Sequence, residues 1–112
     1  MSDDVRIVLV TAPSDDVASA LSRTLVEDRL CACVNRVEGL RSVYRWEGKL
    51  HDDGEVLMII KTTDARVDAL TKRVEKEHPY ECPEVVVLPV VAGSVGYLDW
   101  VRKSVEKPGN ER

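Results

Sequence analysis

Four apolar-rich stretches of this chain have the length and branched residues of strands, and three others repeat apolar residues at helical spacing. Residues 5–10, Val-Arg-Ile-Val-Leu-Val, make a first strand that is apolar on both faces except for Arg6. Thr11-Ala-Pro13 breaks it, and Ser14 then caps a helix whose first turn carries Asp15 and Asp16, where the helix end favours negative charge. Val17, Leu21 and Leu25, widened by Ala18, give that helix one buried stripe, and it is expected to fray near residues 27–29. Residues 30–37 read as a second strand, with Gly39 a bulge before an extended arm. On the arm, Leu40, Tyr44 and Trp46 face one way, and Arg41, Val43 and Arg45 the other. Glu47-Gly48 and Asp53-Gly54 both signal turns; the preferred reading bends the hairpin at the first and bulges at the second.

Glu55-Val-Leu-Met-Ile-Ile-Lys-Thr62 is the segment the rest must fit around. Val56, Met58 and Ile60 point to one face and Leu57 and Ile59 to the other, so the strand needs cover on both sides. Asp64 is the expected cap of a second helix, with Val67, Leu70 and Val74 as its stripe, and Pro79 stops it at His78. A proline-stiffened connector, residues 78–83, leads to a fourth strand at 84–91. Pro89 places that strand at an edge, because proline cannot donate to a ladder. Gly93-Ser94 opens a last helix bearing Tyr97, Leu98, Val101 and Val105, and residues 107–112 read as a disordered tail.

The order β-α-β-β-α-β plus a terminal helix predicts an α+β, ferredoxin-like fold: an antiparallel sheet with both crossover helices on one face. The terminal helix is too small to cover the opposite face. That leaves roughly six to eight apolar side chains wet, on the order of 10–20 kcal/mol of burial not realised by one copy. Patches of that size mark interfaces, so patterning alone predicts a homo-oligomer packed sheet to sheet.

The chain's 112 residues fit a single domain over 1–112, with its core at about 5–106, large enough to bury roughly two-thirds of its unfolded surface. A net charge of -4 argues against nucleic acid as a partner. No run reaches the ~18 apolar residues of a membrane span, and Met1-Ser-Asp-Asp4 does not open like a signal peptide. With three cysteines and no secretory signal, reduced thiols and a cytoplasmic location are expected.

Cys31 and Cys33, two residues apart on a strand, would share a face and can hold a soft metal, or simply pack in the core. His78 and Cys82 lie on one rigid loop. Tyr44, Trp46, Tyr80, Tyr97 and Trp100 are all the aromatics, and each carries a polar tip suited to an interface or a pocket rim. Lys61, Glu81 and Glu84 are polar anchors for such a cleft. No phosphate loop, His-Glu-x-x-His or Gly-x-Ser-x-Gly pattern is present, and the expectation is a protein that is not an enzyme.

Six ordered blocks carry a closer resemblance: Thr11-Ala-Pro13, Leu30-Cys-Ala-Cys-Val-Asn35, Ser42-Val-Tyr-Arg-Trp-Glu-Gly-Lys49, residues 55–62, His78-Pro-Tyr-Glu-Cys-Pro-Glu84 and Tyr97-Leu-Asp-Trp-Val101. In these the chain resembles the CutA family, the divalent-cation tolerance proteins, from about Ile7 to Val105. The resemblance implies a stable homotrimer whose hairpin arms engage neighbouring copies, and a role in tolerance to divalent metals, copper above all. It implies copper ligands at Cys33 and His78. It also implies an intersubunit cleft gathering Tyr44, Trp46, Lys61, Tyr80, Glu81 and Trp100. Trimers of this family look like PII signalling proteins, which implies a second role, sensing a small molecule in that cleft; the third reading is a purely structural trimer. Two departures bear on the metal: Val10 stands where some members carry cysteine, and Cys31 and Cys82 are extra.

Overall fold

The computed structural model describes residues 3–106; the expected tail at 107–112 lies outside them. The elements are β1 (Val5–Ala12), α1 (Asp15–Glu27), β2 (Cys33–Trp46), β3 (Lys49–Thr63), α2 (Val67–Glu77), β4 (Val86–Pro89) and α3 (Val95–Ser104). The strands form one antiparallel sheet in the order β2-β3-β1-β4, which is the double split βαβ arrangement.

Ser14 caps α1, its Oγ accepting from the Val17 amide at 3.3 Å. α1 ends at Glu27, at the expected place, and its end is closed by hydrogen bonds. Leu30 N–H donates to the Leu25 carbonyl at 2.9 Å and Arg29 N–H to Val26 at 3.1 Å, with Arg29 at φ 57. This closes a Schellman motif with arginine in the position that usually prefers glycine. Asp64 does not cap α2. Its amide donates to the Asp4 carbonyl at 2.8 Å, and it opens a short 3₁₀ turn, Asp64–Arg66, ahead of the helix.

The stripes of both crossover helices meet the sheet on one face. Ala18, Leu21, Leu25, Leu70 and Val74 pack on Val8, Val10, Val56, Met58 and Ile60. Across the sheet, α3 covers only one corner, where Val101 and Val105 bury Val5 and Ala32. The rest of that face stays partly open: Ile59, level with Leu9, and Leu57, level with Thr11, are half-buried, while Val37 beside Leu57, Val86 beside Leu9 and Leu88 beside Ile7 are 44%, 43% and 41% exposed.

β2 and β3 form one long hairpin with a register shift between Val37 and Leu40. It turns at Glu47-Gly48, both at positive φ (51° and 79°), as a two-residue type I′ turn requires. β4 is shorter than expected. Only Val86–Pro89 pair, against Arg6–Leu9 of β1, and the ladder ends at the residue with no N–H to give.

Candidate functional site

The hairpin arm and the connector after α2 enclose a groove of about 540 Å³ beside the end of β1. Tyr44 and Trp46 enter it from β2, Tyr80, Glu81, Cys82 and Glu84 from the connector, Glu55 from β3 and Thr11 from β1. The connector is held in place by His78, a buried residue that caps α2. Its Nε2 lies 2.8 Å from the Thr11 carbonyl, and its Nδ1 accepts the Tyr80 amide at 3.1 Å. Tyr80 follows in place, its ring 4.7 Å from the histidine ring.

Two phenols aim at two carboxylates. Tyr80 Oη donates to Glu55 Oε2 at 2.7 Å, and Tyr44 Oη donates to Asp53 Oδ2 at 2.6 Å. Burial, and then the hydrogen bond to Glu55, push the Tyr80 phenol well above its ordinary range, while Tyr44 is raised chiefly by its bond to Asp53. Both therefore remain neutral donors. Glu55 is only 8% exposed, an acidic side chain drawn inward at the groove wall. On its outer side Tyr44 stacks on His51, its cross-strand partner, at 5.1 Å and 11°.

The other expected cleft residues stand apart within one chain. Lys61 lies opposite Cys33 in the ladder and donates to Asn35 Oδ1. Trp100 packs on Tyr97, ring centres 5.5 Å apart, on α3. Cys33 Sγ lies 3.7 Å from Tyr97 Oη, and burial, then Cys33, raise the tyrosine pKa. Glu55, Asp53 and Thr11 were not singled out from sequence. The alternation that faces Leu57 toward the open side also places Glu55 there, and that was the signal available.

The two neighbouring cysteines do not share a face. β2 begins at Cys33, so Cys31 lies in the turn before it and period-two alternation does not apply. Cys31 packs in the helix-side core, where burial, and then the nearby Cys33, push its thiol up to about 12. Cys33 faces the opposite side with Lys61, and Cys82 is exposed.

These donors do not fit a copper site within one copy. Cys33 is level with Ile7 and His78 is bound to Thr11, roughly 13 Å further along β1 at about 3.3 Å per residue. Both imidazole nitrogens are already engaged by backbone groups. Among the described residues no three His, Cys, Asp or Glu side chains gather closely enough to hold an ion.

A family model, CutA1 divalent ion tolerance protein, matches residues 6–104. The chain belongs to that family. It is 48% identical over 98 residues to the divalent-cation tolerance protein CutA of Thermus thermophilus, covering 88% of this chain and 95% of the relative. It is 48% identical over 102 residues to human protein CutA, covering 91% of this chain but 57% of the human protein. The crystal structure of CutA1 from Oryza sativa superposes with a TM-score of 0.91 at 40% identity, covering 95% of this chain and 97% of that one. The CutA1 match takes in both the arm and the connector that wall the groove.

Proposed function

We propose that this chain works as a homotrimer that contributes, without catalysis, to tolerance of divalent metal ions, copper among them, in the reducing cytoplasm. Membership in the divalent ion tolerance family and the names of its relatives support the metal role. The observation that carries the assembly is the open sheet face of Leu9, Leu57, Ile59, Val86 and Leu88, which α3 leaves uncovered. Apolar area of that kind is stabilised by a second surface of the same chemistry. Three free thiols suit a reducing compartment.

Copper is assigned to the assembly, with Cys33 as its thiolate, since a soft ligand suits Cu(I). His78 would join only by releasing either the Thr11 carbonyl or the Tyr80 amide. Titrating copper into reduced protein, alongside Cys33→Ser and His78→Ala, tests this: Cys33→Ser is expected to lose the tight site. Equal affinity in all three proteins overturns the assignment.

The groove favours a second reading, a sensor that takes a small molecule. Its volume lies in the range of small-ligand sites, about 300–1,000 Å³. A thermal-shift screen with no response to any small ligand would end that reading.

A further inference from the structure

We propose that the groove between the hairpin arm and the 78–84 connector binds a small organic cation bearing an alkylated ammonium head. This rests on the sensor reading above and names its ligand class. Tyr44, Trp46 and Tyr80 line the groove, together with the carboxylates of Glu55, Glu81 and Glu84. Within one copy no lysine or arginine lines it, so an anionic ligand would meet three like charges and no counter-charge from the chain that forms the groove.

A cation is therefore the charge class, and the spacing of the carboxylates decides which kind. A hard metal ion needs several oxygens converging at about 2.0–2.6 Å. Among the described residues no three carboxylate, thiol or imidazole side chains come together that tightly. Carboxylates spread around aromatic walls suit a large cation with its charge spread over methyl or methylene groups. Such a head is attracted to Trp and Tyr ring faces and loses little hydration on entry. Glu55 supplies the inner counter-charge: it is 8% exposed, and Tyr80 Oη, its hydrogen-bond partner at 2.7 Å, leaves further lone pairs on the carboxylate. The Tyr80 ring cannot swing away without losing both that bond and its packing on the His78 ring, 4.7 Å away. The inner wall is thus preorganised.

Calorimetric titration of the assembled protein with choline tests this, set against 3,3-dimethylbutan-1-ol, its uncharged carbon analogue, and against succinate. Choline is expected to bind at least about 10-fold tighter than the alcohol, and Trp46→Ala and Glu81→Gln each to weaken it about 5- to 30-fold. Glu81 is exposed, so its variant separates a lost contact from a lost fold. Equal binding of choline and the alcohol, or full-strength choline binding by both variants, overturns the proposal. If succinate binds and choline does not, the ligand class falls while the sensor reading stands; if none of the three binds, this proposal falls and the thermal-shift screen decides the sensor reading. Choline binding that appears only after the copies are separated would give the groove to a basic side chain of a second copy, and that too overturns it.

Discussion

His78 Nε2 donates to the carbonyl of Thr11 at 2.8 Å, tying the end of α2 to the last residues of β1. A carbonyl can only accept, so the proton is on Nε2 and Nδ1 is free to accept the Tyr80 amide. One side chain thereby satisfies two backbone groups and fixes the entry to the connector. His78→Ala leaves both without their partner, and is expected to destabilise the fold by about 2–4 kcal/mol. Urea unfolding at fixed protein concentration measures it; a loss below about 1 kcal/mol would mean that water replaces the ring.

The open sheet face predicts where assembly breaks. Ile59→Lys puts a charge at the centre of that face, beside Leu9. Sedimentation should then fall from a species of three copies to one of 12.5 kDa, with the far-ultraviolet spectrum retained. A wild-type protein that already sediments at 12.5 kDa refutes the assembly itself.

Cys31 makes stability depend on alkaline pH. Its folded pKa, about 12, stands above the ordinary thiol value of 9.0, so the unfolded chain loses this proton first. Stability is then fully present below about pH 9 and declines as pH rises toward 12, by up to about 1.4 kcal/mol per unit. Cys31→Ala should flatten that slope between pH 9 and 10.5 relative to wild type. The raised phenols of Tyr44 and Tyr80 act in the same direction in both proteins, so the comparison isolates the thiol.

Glu47 occupies the left-handed region at φ 51 in the hairpin turn. Asparagine tolerates that conformation better, so Glu47→Asn is expected to stabilise by about 0.5–1 kcal/mol. Thermal unfolding would register a rise of a few degrees. No rise would mean that the turn contributes little to the cooperative unit.

The order of elements was legible because apolar runs of strand length and stripes at helical spacing follow one another along the chain with turn residues between them. Pro89 announced the edge position of β4, and Glu47-Gly48 the tip of the hairpin. What could not be read were features decided by partners distant in sequence. Asp64 looks like a cap until Asp4 takes its amide. Cys31 and Cys33 look coplanar until the start of β2 falls between them. For the groove, polar-tipped aromatics pointed to Tyr44, Trp46 and Tyr80, and the connector to Glu81. Glu55 was hidden as the first residue of an apolar run, and its inward position depends on Tyr80, which comes 25 residues later.

From Leu40–Glu55 to Trp46–Lys49 the hairpin is a two-stranded ribbon. Val43 and Leu50, 65% and 70% exposed, give it no core of its own, and the molecule reaches 51 Å along its longest axis. A ribbon anchored only at its root bends easily. Tyr44 and Trp46 ride on it, so the distance between the groove's two walls changes with every flexure of the arm. Copies that grip the ribbon would stiffen it and set that gap, making ligand occupancy and quaternary state two readouts of one mechanical coordinate.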